Sequence, residues 1–162
     1  MNPSQPHLPF GAERRVYFLD PPLLAGPLLL VASRSKPVAE PHYFAVLRRV
    51  GNHLVMAPCS TKNSMGANLA LEGGDRLGYT GWIRRTCHVV PQMYIAPVEA
   101  VERAAHLDLS LGKQANYVTS GGLRKVWAFL QERLLLRPVK IWLGLSGATD
   151  GFYDLRNGTW QS

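Results

Sequence analysis

The sequence contains only two cysteines, Cys59 and Cys87, and no long uninterrupted hydrophobic run. Two cysteines do not make the disulfide framework of a small secreted domain, and no secretory signal opens the chain. The most apolar window, residues 21–33, is interrupted by glycine and proline, and it is shorter than the ~20 residues that span a bilayer. We therefore expect a cytoplasmic protein with reduced thiols and no membrane partner.

Acidic residues are also scarce. The chain has 11 Asp and Glu against 18 Lys and Arg, a formal net charge of +7 and an isoelectric point near 9.8. This balance favours a polyanionic partner, either nucleic acid or an acidic protein. A hydrophobic content of 46% excludes wholesale disorder, and 162 residues suffice for one domain with a modest extension.

Metal and cofactor motifs are missing too. The candidate metal ligands lack the close spacing of a known site: His53, Cys59, Cys87 and His88. The glycine pairs at 73–74 and 121–122 lack the Lys-Ser/Thr ending of a phosphate-binding loop. The sequence therefore predicts no metal and no cofactor.

The most informative segment is residues 42–61, which predicts two short strands joined by a tight turn. Residues 43–47 form an apolar run rich in strand formers, Gly51-Asn52 makes the turn, and residues 54–57 return before Pro58 ends the pairing. An antiparallel pair brings both ends to one sheet edge, so His42 should meet the polar residues that follow the second strand: Cys59, Ser60, Thr61 and Lys62. We expect a phosphate-handling pocket there.

The remaining elements complete an α+β chain that is mainly β. Further strands are predicted at 14–20, 28–32, 69–71, 81–90, 93–95 and 140–145, with a hairpin over 152–160 around Asn157-Gly158. Helices are predicted at 98–105, opened by Pro97, and from residues 120–122 to Pro138. We expect a polar leader (1–11), an SH3-like β-barrel of five or six strands (12–105), and a helix-plus-hairpin extension packed on it (106–162).

The order of these signals resembles the PemK/MazF family of toxin proteins, which are small SH3-like barrels from toxin–antitoxin pairs. The resemblance rests on a basic aromatic strand ending in Asp-Pro (14–21), on the segments 42–47 and 54–61, and on 86–101 with Gln92 in the family's Gln position. It covers about residues 12–105. It implies sequence-selective cleavage of single-stranded RNA without metal, by attack of the ribose 2′-OH on its own phosphate. It also implies an antitoxin as protein partner.

The resemblance carries over to the site residues only in part. The family's hydroxyl group corresponds to Thr61 or Ser60, but its Arg before the second main strand has no counterpart at 40–42. His42 can replace it as acid or base, since histidine titrates near neutrality, and Arg34 can act as an electrostatic clamp. The structural alternatives are a His42 ring bonded to backbone and ordinary turn chemistry at Ser60-Thr61.

Other basic and aromatic residues extend the predicted nucleic-acid surface. In a strand over 81–90, Trp82, Arg84 and Arg85 would offer one face for stacking bases or gripping phosphates. The alternative is a core Trp82 with solvated arginines outside. Arg48 and Arg49 lie at the hairpin tip and add to the basic surface.

The C-terminal third carries more apolar material than a barrel of this size needs. One helix face and later aromatic residues contribute it: Leu123, Val126, Trp127, Leu130, Leu134, Trp142, Phe152, Tyr153 and Trp160. This material either packs across the barrel or docks a protein partner or second copy of the chain. Two hypotheses follow: a PemK/MazF-like endoribonuclease, or a non-catalytic basic SH3-like module that binds nucleic acid or a protein complex.

Overall fold

The strands and helices are those of a mixed α+β protein. The computed structural model describes residues 9–31, 36–63, 66–134, 140–143, 151–154 and 159–161, the last three ranges by their backbone. The strands are β1 (Val16–Leu19), β2 (Leu28–Val31), β3 (His42–Val50), β4 (His53–Ser60), β5 (Leu69–Leu71), β6 (Arg76–Leu77), β7 (Cys87–Val89), β8 (Gln92–Pro97), β9 (Tyr117–Val118), β10 (Lys140–Leu143), β11 (Gly151–Asp154) and β12 (Thr159–Gln161). The helices are α1 (Thr80–Ile83), α2 (Val98–Ala104) and α3 (Ser120–Leu134).

Seven of these strands form one antiparallel sheet around the β3–β4 hairpin. Strand β1 pairs with β3, and the outer edge of β4 is shared between β8, along its first half, and β7, at Cys59 and Ser60. Strand β5 then pairs with β7, and β2 with β8. No closed barrel is detected among the described strands. The SH3-like barrel expected from the sequence therefore stays a prediction.

The central sheet is buried on both faces. Along β3 and β4, alternate side chains enter two different hydrophobic clusters. One cluster contains Val16, Ala45, Leu47, Val55 and Ala57, and the other contains Tyr17, Phe44, Val46, Leu54 and Met56. Strands covered on both sides read as continuous apolar runs. The runs at 44–47 and 54–57 therefore have a direct structural cause.

The two longer helices cover opposite faces of this sheet. Helix α2 starts after Pro97, as predicted, and contributes Val101 and Ala104 to one cluster. Helix α3 contributes Val126 and Leu130 to the other, with further partly buried side chains packed beside them: Leu123, Trp127, Phe129 and Leu134. The predicted helix face thus packs on the sheet core. The side chains of Trp142, Phe152, Tyr153 and Trp160 lie outside the described residues, so their docking role stays a prediction.

Two local predictions were wrong. The predicted strand 81–90 begins instead as helix α1, where Trp82 N–H bonds to Tyr79 O and Arg84 N–H to Thr80 O at 2.9 and 3.0 Å. Only the end of that segment is extended, as β7. Pro58 does not end the hairpin, because it pairs opposite Phe44 and its carbonyl accepts Val90 N–H at 2.9 Å. A proline is tolerated where the ladder needs no N–H.

The C-terminal strands pair as a separate antiparallel sheet in the order β10-β11-β12. This confirms the strand from Lys140 and the hairpin over 152–160, whose Asn157-Gly158 turn lies outside the described residues. Val118 and helix α3 belong to the main core, and the boundary drawn at residue 105 stays a prediction. Among the described helices, none has the length and apolarity to cross a lipid bilayer.

Helix α3 starts against a tight 3₁₀ turn at Gly73–Asp75. The Asp75 carbonyl accepts Thr119 N–H at 2.9 Å, and the Asp75 carboxylate accepts Lys125 Nζ at 2.6 Å and Glu72 N–H at 2.9 Å. A Cβ at Gly122 would lie 2.6 Å from the Asp75 carbonyl oxygen. Glycine is therefore required at Gly122 so that the helix can approach the turn.

Gly122→Ala should destabilise the protein, whereas Gly121→Ala should not. The new Cβ at Gly122 meets backbone atoms that cannot rotate away, which should lower the free energy of unfolding by about 1–3 kcal/mol. At Gly121 the nearest atom is the Arg124 Nη2, 3.7 Å away, so the same change is accommodated. Urea unfolding of both variants measures the difference, and equal stabilities would refute the close approach.

Asp75→Asn should lower stability in a pH-dependent way. Burial alone raises the pKa of Asp75, but Lys125 and Glu72 N–H outweigh it and hold this pKa below its usual 3.8. The charged carboxylate therefore stabilises the fold above pH 3.8, and this contribution is lost as the pH falls towards the lower folded-state value.

The difference between wild type and Asp75→Asn should accordingly be largest near neutral pH and shrink in acid. Urea unfolding across roughly pH 3 to 7, the range in which the Asp75 contribution is lost, measures it. Glu132→Gln on the exposed face of α3 is the matched control. A difference that stays constant over this range would show that the charge of Asp75 is not what stabilises the turn.

Candidate functional site

A pocket of about 350 Å³ opens where β3 begins and β4 ends. Its walls come from β1, from the residues that lead into β3, from the end of β4, and from α1 with the segment that follows it. The lining residues are Phe18, Glu40, Pro41, His42, Tyr43, Cys59, Ser60, Thr61, Lys62, Trp82, Arg85, Thr86 and Cys87. We call this cavity the main pocket.

The main pocket brings together many of the residues singled out from sequence, and it leaves others outside. Six of the predicted catalytic and nucleic-acid-binding residues line it: His42, Ser60, Thr61, Lys62, Trp82 and Arg85. Arg84 is exposed at the end of α1 and does not line it. Arg48 and Arg49 lie at the opposite end of the hairpin, with the Arg48 guanidinium 5.3 Å from the Trp127 ring. Arg34 lies outside the described residues.

His42 is held by one backbone contact that also sets its tautomer. Its Nδ1 lies 2.6 Å from the carbonyl oxygen of Glu40. A carbonyl only accepts, so we assign the proton of the neutral ring to Nδ1. Nε2 then carries the lone pair and can take a proton. This contact is expected if His42 has only a structural role. It is also compatible with a catalytic role, because it leaves Nε2 as the site that accepts a proton.

The residues that leave β4 form a short polar turn at the pocket mouth. The Ser60 hydroxyl accepts Lys62 N–H at 3.1 Å, and the Asn68 side chain donates to Lys62 O at 2.9 Å. Ser60 thus serves the turn, as the structural alternative anticipated. Thr61 and Lys62 are exposed between these anchors, so their hydroxyl and ammonium groups are presented to solvent at the pocket.

Trp82 forms an inner wall of the pocket. Its side chain is 1% exposed, its Nε1 donates to Tyr117 O at 3.3 Å, and its ring lies 5.2 Å from that of Tyr43. The structure places this indole in the core, as the alternative reading of the segment had it. The partly exposed aromatic rings of the pocket are instead those of Tyr43 and Phe18, which lie 5.0 Å apart.

A buried guanidinium supports the wall that carries Arg85. Arg76 is 9% exposed, and its Nη1 donates to Trp82 O at 2.9 Å and to Arg85 O at 2.6 Å. Its guanidinium also lies 5.6 Å from the Trp82 ring centroid. Sequence analysis missed Arg76, because a lone arginine in a glycine-rich connection looks like a solvated residue.

The two cysteines that line the pocket are free, buried thiols. The hydrogen bond between them, together with burial, raises the pKa of Cys59 well above its usual value. Accepting that bond lowers the pKa of Cys87, and the nearby Arg76 cation acts in the same direction. Burial also raises the pKa of Tyr43, with a further contribution from the charge of Asp108.

The main pocket therefore combines an imidazole that can accept a proton, exposed hydroxyl groups, and the cations Lys62 and Arg85. Such a set suits a phosphate ester, whose oxygens accept charge-assisted hydrogen bonds. Phe18, Glu40 and Thr86 also line the pocket, although no sequence motif marks them. Within the described part of the chain, no three His, Cys, Asp or Glu side chains are grouped closely enough to hold a metal ion.

Comparisons of the chain with protein-family models, curated protein sequences and solved structures return no significant match. Function is therefore inferred from the chemistry of the pocket.

Proposed function

We propose that the main pocket binds a phosphodiester of single-stranded RNA and cleaves it by attack of the ribose 2′-OH, without a metal ion. The observation that carries this proposal is the convergence of His42, Thr61, Lys62 and Arg85 on one cavity. The cleavage needs a base for the 2′-OH, an acid for the departing oxygen, and positive charge around the phosphate. These side chains supply all three.

His42 takes the proton of the 2′-OH. With Nδ1–H bonded to Glu40 O, the lone pair of Nε2 is the basic site of the ring. The 2′-oxygen then forms a bond to phosphorus as the bond to the 5′-oxygen breaks. Lys62 donates a proton to that leaving oxygen, and the products are a 2′,3′-cyclic phosphate and a free 5′-OH.

Arg85 and Thr61 stabilise the phosphate during this step. Arg85 supplies a planar guanidinium that can bond two phosphate oxygens at once. It reaches the pocket from the segment after α1, whereas the PemK/MazF resemblance places an arginine before the second main strand. Thr61 supplies a hydroxyl at the position that the resemblance assigns to the family's Ser or Thr. An SH3-like relationship, a cytoplasmic location and an inhibitory antitoxin partner belong to the same proposal.

Substitution of His42 or Thr61 should abolish cleavage while RNA binding is kept. Loss of a general base lowers the rate by roughly 10²–10⁴-fold, and His42→Ala should fall in that range. Thr61→Val removes the hydroxyl with little change of shape. The measurement is cleavage of end-labelled single-stranded RNA in EDTA, resolved on a denaturing gel.

Two controls make this test specific. His106→Ala removes an exposed histidine that contacts Asp20 at 3.3 Å and does not line the main pocket, and this variant should cleave like wild type. An RNA with a single 2′-deoxy nucleotide at the cut position should resist wild-type protein. Cleavage of that RNA, or unchanged cleavage by His42→Ala, would refute the mechanism.

A non-catalytic nucleic-acid-binding module is the second candidate. The His42 contact to Glu40 O favours it, because a ring that merely caps a strand makes the same bond. The absence of an arginine at 40–42 favours it as well. This module would shift RNA on a native gel and leave it intact under conditions in which the first candidate cleaves it.

Both candidates require Arg85 to contact phosphate, so Arg85→Ala should weaken RNA binding and flatten its salt dependence. Each phosphate contact on a single strand contributes about 0.7 to the slope of log affinity against log salt. Arg103→Ala, which removes an equal charge from the exposed end of α2, is the matched control. Fluorescence anisotropy at several salt concentrations measures the slopes, and equal slopes for the two variants would show that Arg85 does not hold phosphate.

A further inference from the structure

A second, smaller cavity of about 180 Å³ adjoins the main pocket. The two cavities share Phe18, Tyr43 and Arg85 as lining residues. We call the smaller cavity the side pocket. Its outer wall comes from the loop that follows α2, which sequence analysis did not connect with function.

The side pocket has the aromatic and apolar walls that a planar ring needs. Tyr79 lines it beside Phe18 and Tyr43. Leu107 and Leu109 stand at its outer wall with 44% and 72% of their surface exposed. Exposed leucines next to aromatic rings lose water-accessible apolar surface when a flat ligand enters between them.

One buried carboxylate gives the side pocket a polar preference. Asp108 is 8% exposed, and it accepts Phe18 N–H at 2.8 Å, Ser110 N–H at 2.8 Å and the Ser110 hydroxyl at 2.6 Å. A carboxylate has about four lone-pair positions, so one more donor can be accepted. A ligand that offers an N–H donor therefore suits this wall.

Gly81 keeps the side pocket open. A Cβ at this position would lie 3.2 Å from the Tyr43 hydroxyl oxygen and 3.8 Å from the Tyr79 ring. The backbone of Gly81 is ordinary helix, so the absence of a side chain is what this position contributes. A methyl group there would intrude between the two tyrosines that line the cavity.

We propose that the side pocket binds a nucleobase with an exocyclic amino group while the main pocket holds the phosphate of the same nucleotide. Cytosine, adenine and guanine carry such an amine, and uracil carries a carbonyl oxygen in its place. Asp108 accepts the amine, and Tyr79 with Leu109 encloses the ring. This inference rests on the proposed function, because it needs the main pocket to bind phosphate.

The test compares the affinities of three small probes: cytidine 5′-monophosphate, uridine 5′-monophosphate and ribose 5-phosphate. Cytosine and uracil differ little in shape, so their ratio reports the amine contact. A hydrogen bond to a charged group predicts at least about tenfold tighter binding of the cytidine nucleotide than of the other two. Chemical-shift titration of the labelled protein measures all three constants.

Two variants locate the effect. Gly81→Ala and Leu109→Ala should both reduce the affinity for the cytidine nucleotide towards that for ribose 5-phosphate. Leu109 is so exposed that its truncation leaves the fold intact, which keeps the test valid if Gly81→Ala folds poorly. Gly121→Ala at the start of α3 is the matched glycine control and should bind all three probes like wild type.

The outcomes separate the two proposals. If ribose 5-phosphate binds but cytidine and uridine nucleotides bind no better, the side-pocket inference fails and the phosphate site stands. If ribose 5-phosphate does not bind at all, both fail. A cytidine preference that survives both variants would also overturn the inference. Preferential binding that both variants remove, together with RNA left uncut, would support the base site and refute only the cleavage.

Discussion

The burial of the β3–β4 hairpin on both faces is the constraint on which the rest of the fold depends. Neighbouring side chains such as Phe44 and Ala45 enter different hydrophobic clusters, so the hairpin stabilises the fold only if both clusters are covered. Helix α2 covers one face and helix α3 the other. Because the middle of the hairpin is wholly apolar, polar chemistry can lie only at its two ends.

The main pocket occupies one of these ends and inherits its geometry from the ladder. Tyr43 pairs with Cys59 in register, so the residues on either side of that pair, His42 and Ser60, are brought to the same edge. The opposite wall is not positioned by strand pairing. Arg76 positions it instead, because its guanidinium donates hydrogen bonds to the carbonyls of Trp82 and Arg85. A rigid hairpin and one buried cation thus define the cavity.

Much of this arrangement follows from local sequence patterns, and the remainder depends on distant contacts. The hairpin, both longer helices and the grouping of His42 with Thr61 and Lys62 follow from periodicity and antiparallel geometry. Helix α1 was not predicted, because the aromatic and arginine residues at 82–85 have the pattern of a strand with two different faces. Its helical turn is stabilised by distant contacts, such as the hydrogen bond from Trp82 Nε1 to Tyr117 O. Whether seven strands close into a barrel depends on long-range pairing, which short motifs do not encode.

The side pocket escaped prediction for the same reason, because its walls come from segments nearly a hundred residues apart: Phe18 N–H bonds to the Asp108 carboxylate. In the proposed function, the chemistry of these walls determines which bases are selected. A chain with a net charge of +7 attracts any nucleic acid, and contacts to phosphate carry no sequence information. Discrimination among bases must therefore come from neutral or acidic contacts beside the cationic pocket. Asp108, Tyr79 and Leu109 line the neighbouring cavity and meet that requirement. In the function proposed above, the hairpin therefore supplies the chemistry and the loop after α2 supplies the choice of base.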